Sequence, residues 1–166
     1  SGTLGSGPPL RLAIIGDSSA AGVGVAHQRD ALSGQLCAML APHFTVSWQL
    51  DALTGATTRS TLSRLATAVL ALGVNDVTRL IPARKWVHQQ QTLFDRLNTL
   101  YRPNQIYISG MPPMGHFPLL PEPLRWTLGR HATKLEHRRA AVLAPRPDCT
   151  HIPFNLPLDP ALMATD

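Results

Sequence analysis

The chain has 166 residues, 44% of them apolar and 15% charged, enough for one domain with a substantial core and too few for two ordinary ones. Its longest apolar stretches, such as Thr67–Val74, fall far short of the roughly 18 residues needed to span a bilayer, so no membrane span is expected. The formal charge of +5 invites anionic partners, but the arginines are scattered, with Arg138-Arg139 the only adjacent pair, and the aromatic residues are dispersed, so nucleic acid is not expected among them.

Residues 1–9 are small and flexible, rich in Gly and Pro, and read as a leader without the apolar segment of a signal peptide. Residues 10–166 read as a single domain. Leu10–Ile15 is a short apolar run that stops at Gly16, which predicts a buried strand followed by the turn Gly16-Asp17-Ser18. The small residues from Ala20 to Ala26 predict a loop or a poorly nucleated helix start. Asp30 offers a cap to a helix with Leu32, Leu36, Met39 and Leu40 on one face, ended by Pro42.

Thr45–Leu50 alternates and predicts a second strand, leading through Thr54-Gly55-Ala56-Thr57-Thr58 into a short helix with Leu62 and Leu65. Thr67–Leu72 is a third strand of the buried type, ending at Gly73-Val74-Asn75-Asp76. The next helix, Ala83 to Tyr101, carries Trp86, Leu93, Phe94, Leu97 and Leu100 along one stripe. Gln105–Ser109 reads as a fourth strand and Gly110–Pro123 as a proline-rich loop. A helix from Pro123 to Leu143 and a fifth strand at Thr150–Phe154 complete the pattern. Strands alternating with helices predict an α/β three-layer sandwich, a five-stranded parallel sheet with helices on both faces and strand order 2-1-3-4-5.

Ligands of such sheets bind beyond the carboxyl ends of the strands. Those ends deliver Gly16-Asp17-Ser18, Thr54-Gly55, Gly73-Val74-Asn75-Asp76 and the Met111–Pro118 loop to one rim. The set resembles the SGNH/GDSL hydrolase superfamily, in its small bacterial esterase, thioesterase and lysophospholipase members, whose fold is flavodoxin-like. Gly16-Asp17-Ser18-Ser19 stands in place of the Gly-Asp-Ser-Leu block, and Gly73-Val74-Asn75-Asp76 matches the Gly-x-Asn-Asp block in full. The resemblance implies Ser18 as nucleophile and an oxyanion hole from Ser18, Gly55 and Asn75. The residue types suit that chemistry, because a serine hydroxyl needs a base and a tetrahedral intermediate needs preorganised donors.

Asp17 and Asp76 read as loop braces. Arg79 and His116 read as solvated or loop-packing residues that can also face a substrate. Met111, Met114 and Phe117 suit either an acyl-binding wall or the core.

The resemblance also implies an Asp-x-x-His block near the carboxyl terminus. Asp148-Cys149-Thr150-His151 has the spacing but leads into the fifth strand, which would put His151 at the wrong end of the sheet. Asp166 is the expected triad acid, with the histidine beyond it and the chain stopping inside this block. Expected partners are a small-molecule acyl ester or thioester and water, with no metal, no organic cofactor and a monomeric state. The alternatives are a carbohydrate O-acetylesterase, or a noncatalytic small-ligand binding domain if the histidine is absent. Cys37 and Cys149 form no metal pattern and read as core thiols, with a disulfide between them left open. Localisation is not written in the sequence.

Overall fold

The computed structural model describes residues 1–55, 57–58, 70–71, 73–118 and 120–154, with 70–71 described by backbone only. Its strands are β1 (Gly2–Leu4), β2 (Pro9–Gly16), β3 (Thr45–Ala52), β4 (Leu70–Ala71), β5 (Ile106–Ser109) and β6 (Cys149–Ile152). Its helices are α1 (Ser18–Ala21), α2 (Leu32–Leu40), α3 (Val74–Thr78), α4 (Ala83–Tyr101) and α5 (Leu124–Leu143), with 3-10 turns at Gln28–Asp30 and Met114–His116. The helix expected through Leu62 and Leu65, most of the third strand, and Asp166 lie outside the described residues.

The sheet order is β1-β3-β2-β4-β5-β6. Strands β3, β2, β4, β5 and β6 pair in parallel, with Pro9 opposite Thr45 and Gly16 opposite Ala52 in the longest register. Strand β1 runs antiparallel to β3, so the sheet is six-stranded and mixed rather than five-stranded and parallel. Four of the nine residues read as a flexible leader, Gly2–Leu4 in β1 and Pro9 at the start of β2, are therefore ordered in the sheet. Three residues starting at a glycine carry too little alternation to reveal a strand. What fixes them is backbone pairing at the edge of β3, with Gly2 against the Trp48 indole, where a Cβ would come within 3.1 Å of Nε1.

Ile14 and Ile15 point to opposite faces of β2 and both are fully buried, so the centre of the sheet is covered on both sides. Ile15 joins Leu93, Phe94 and Leu97 of α4, Ile106 and Ile108 of β5, and Val142 and Leu143 of α5 in one core cluster. A second cluster sits at the carboxyl side, where Val77 of α3 meets Trp86, Met111, Met114, Leu128, Ala132 and Leu135. Burying one such side chain contributes about 1.5–3 kcal/mol before entropy is counted. Because α3 follows directly from β4, this second cluster holds the Gly73–Asp76 turn in place. Met111 and Met114 are core residues in it, with Phe117 packed against its edge, so packing rather than an acyl-binding wall accounts for these side chains.

Helix α2 departs from its expected face. Ser33 and Cys37 are buried, whereas Leu32 and Met39 are exposed. Small residues win here because the helix lies close to the preceding turn: a Cβ on Gly34 would come within 2.4 Å of the Arg29 Cα, and Gln28 Nε2 donates to Ser33 Oγ at 2.7 Å. Cys37 and Cys149 are free thiols. Burial pushes the Cys149 thiol up to about 11, with Asp148 adding to the shift.

Candidate active site

Ser18 is the first residue of α1, directly after β2. Asp17 caps that helix, its Oδ1 accepting from the Ser19 backbone N–H at 3.1 Å, and Gly22 closes it in the left-handed region, its N–H donating to the Ser18 carbonyl. Short as it is, α1 is therefore capped at both ends, and Ser18 is half-buried with Asp17 buried behind it.

The turn after β4 reaches the other turns through three side-chain bridges. Asn75 Nδ2 donates to Asp17 Oδ2 at 3.3 Å, which sets its amide beside the residue preceding Ser18. Arg79 Nη2 donates to the Gly55 carbonyl at 3.2 Å. Asp76 Oδ2 accepts from the Thr58 backbone N–H at 3.2 Å, from Thr58 Oγ1 at 2.7 Å and from Trp86 Nε1 at 3.3 Å. Gln90 Nε2 in turn donates to Thr58 Oγ1 at 2.8 Å. Residues from 17 to 79 that lie far apart in sequence thus meet at one rim, as the motif order requires.

Gly55 adopts φ +77°, a region that L side chains rarely enter, and a Cβ there would meet only Arg79 Nη2, at 3.8 Å. The need for glycine is set by the backbone turn and not by crowding. Arg79 is exposed and ties the Gly55 loop to α3, while His116 is exposed in its own turn.

Asp17 and Asp76 both brace turns. Burial pushes the Asp17 carboxyl above the usual carboxylate range; its bonds to Ser19 oppose this and the charge of Asp76 adds to it. Burial likewise raises Asp76, against the bonds from Thr58 and Trp86 and the charge of Arg139. The Asn-Asp pair signals the turn in the sequence. Thr58, Trp86 and Gln90 carry no signal of their own as its partners, because they lie 10 or more residues away from Asp76.

The Asp148–His151 pair does not form a dyad. Asp148 accepts from Asn98 Nδ2 at 2.6 Å, and its carbonyl accepts from the Ile106 N–H. His151 Nε2 lies 2.5 Å from Glu136 Oε1 on α5. Strand β6 starts at Cys149 and stops at Ile152, because Pro153 has no N–H to extend it, so His151 lies toward the carboxyl end of its strand and not the opposite end. It is nonetheless separated from β2 by β4 and β5.

Residues 14–166 match the GDSL-like lipase/acylhydrolase family. The chain belongs to that family. Among solved structures, AlinE4, titled an SGNH-hydrolase family esterase, is similar at a TM-score of 0.67 and 18% identity, over 89% of this chain and 77% of that one. The psychrotrophic esterase EstA from Pseudoalteromonas sp. is similar at 0.66 and 16%, over 87% and 76%. Axe2, an acetylxylan esterase from Geobacillus stearothermophilus, is similar at 0.56 and 15%, over 82% and 74%. Among curated proteins none matches. These likenesses are of fold, and they agree with the SGNH/GDSL superfamily as read from the motifs. Among the described residues no three of His, Cys, Asp and Glu group as a metal site, and no helix is long and apolar enough to cross a membrane.

Proposed function

We propose that this chain is a serine hydrolase that cleaves carboxylic esters or thioesters through an acyl-serine intermediate. The observation that carries the reading is the set of bridges that joins the Asp17, Gly55 and Asn75 turns at the carboxyl rim of the sheet. In this reading Ser18 Oγ attacks the carbonyl carbon and gives its proton to a histidine, which passes it to the departing alkoxide or thiolate. Water then attacks the acyl-serine by the same route in reverse. The Ser18 and Gly55 N–H groups and the Asn75 amide stabilise the oxyanion, each such donor being worth about 100- to 1,000-fold in rate. Asp166 is the acid proposed to orient the histidine. The chain forms a single domain that takes in β1, its sheet layered between helices, and the protein acts as a monomer without metal or organic cofactor.

A carbohydrate O-acetylesterase is the second reading, favoured by the likeness to an acetylxylan esterase. Turnover of p-nitrophenyl esters from acetate to decanoate, with acyl-thioesters and acetylated xylan in parallel, tests both. Ester or thioester turnover with a burst of one p-nitrophenol per protein is expected. Activity confined to acetylated xylan and acetate favours the second reading, and a folded protein that turns over none of these overturns both in favour of a noncatalytic ligand-binding domain.

A further inference from the structure

Two of the three donors proposed for the oxyanion, those of Gly55 and Asn75, lie on different turns, and one residue that the proposed chemistry does not use spans them. Arg79 closes α3: its backbone N–H donates to the Asn75 carbonyl at 3.2 Å. Its Nη2 donates to the Gly55 carbonyl, also at 3.2 Å, across 24 residues of sequence. Asn75 is thus held through its main chain by Arg79 and through its side chain by Asp17. Gly55 has the greater need of such a hold, because a glycine at φ +77° has no Cβ to limit its rotation. Where a Cβ would stand, Arg79 Nη2 is the one described atom within 4 Å beyond the neighbouring residues of the chain, so little packs against that side of the turn.

The backbone that carries Arg79 is itself fixed. The Leu80 N–H donates to the Val77 carbonyl at 2.9 Å and the Ile81 N–H to the Asp76 carbonyl at 3.0 Å, with Leu80 in the left-handed region at φ +51°. These two bonds are those of a Schellman helix end, closed here by a leucine where glycine is usual. Ile81 packs against the cluster of Val77 and Trp86, so the end of α3 is anchored in the core while Arg79 stays exposed at the rim. An exposed hydrogen bond of this kind exchanges with water at little net gain in stability. Its consequence is geometric: it ties a mobile residue type to an anchored one.

We infer that Arg79 is a positioning residue of the oxyanion hole, which fixes the Gly55 N–H relative to the Asn75 amide without itself touching substrate. The inference rests on the hydrolase reading for its effect on rate, while the hold on Gly55 is read from the geometry alone. Preorganised donors act where charge develops in the transition state, and a displacement of about 1 Å can cost on the order of 100-fold. Loosening one donor therefore lowers kcat and leaves the binding of the uncharged ester, read as KM, in place.

Two variants test it beside the wild type: Arg79→Met, which keeps an unbranched side chain and removes every donor, and Arg79→Lys, which restores one. Each is measured by thermal midpoint, by p-nitrophenyl ester kinetics and by the backbone amide resonance of Gly55 in nitrogen–proton correlation spectra. The expected result for Arg79→Met is a midpoint close to wild type, kcat down roughly tenfold at unchanged KM, and a Gly55 resonance that shifts or broadens. Arg79→Lys is expected to recover most of the rate and the wild-type resonance. A raised KM at constant kcat overturns the inference by assigning Arg79 to substrate contact. A lowered midpoint with kcat per folded molecule unchanged overturns it by making Arg79 a purely structural residue. A Gly55 resonance unmoved in Arg79→Met overturns it whatever the rate does. If the wild type turns over no ester, the hydrolase reading fails, and the Gly55 resonance decides on its own whether Arg79 holds that turn.

Discussion

The turns after β2 and β4 each present a buried aspartate, Asp17 and Asp76, and both carboxyls are pushed upward by burial. Asp17 accepts one local N–H and one amide, that of Asn75, beside the half-buried Ser18. Asp76 is fully buried and draws Thr58 and Trp86 onto one oxygen, from 18 and 10 residues away. The same residue type thus serves two ends: in the proposed mechanism Asp17 orients the groups that face substrate, whereas Asp76 holds the frame that brings the turns together. Changes around the first are expected to cost rate, and changes around the second to cost stability.

The largest separation comes from Ser18→Ala, which is expected to lower ester turnover by about 10⁴-fold or more while leaving the thermal midpoint nearly unchanged. A large drop in the midpoint would place Ser18 among the framing residues. Asn75→Ala comes next, with kcat down by about 100- to 1,000-fold and KM little altered. A rise in KM at constant kcat would show ordinary binding instead. Asp76→Ala strands three buried donors and is expected to destabilise by about 3 kcal/mol in urea unfolding, with activity lost only in proportion to the unfolded fraction. Stability close to wild type would remove Asp76 from its framing role.

The smallest effect is a pH dependence. Burial raises the Asp76 pKa in the folded protein above the unfolded value of about 4, so the native state binds the proton more tightly. That contribution is fully present below the unfolded pKa and is lost as pH rises through the folded one. Asp76→Asn removes it, so the stability of wild type relative to this variant should decline as pH rises from 4 upward. A difference that stays constant across that range would contradict the raised pKa.

Much of this was legible because β2 is an apolar run that ends at a glycine turn, and turns at the carboxyl ends of adjacent parallel strands must meet. That reasoning brings the turns of Ser18, Gly55 and Asn75 to one rim, and the resemblance to the SGNH/GDSL blocks implied their roles. Strand β1 could not, since its pairing depends on an edge that exists only after β3 folds. Helix α2 misled because apolar residues at helical spacing say nothing about how close the neighbouring turn lies, and there only Ser33, Gly34 and Cys37 fit. His151 shows the limit of spacing as a guide: Asp148 stands three residues before it, yet Glu136 from helix α5 is its partner.

The central claim is that Ser18 is an activated nucleophile. Treating the protein with a fluorophosphonate probe and mapping the adduct by mass spectrometry tests it most directly. One covalent phosphonyl group on Ser18, absent from Ser18→Ala, is the predicted result; a folded protein left unlabelled, or labelled at another residue, would contradict it.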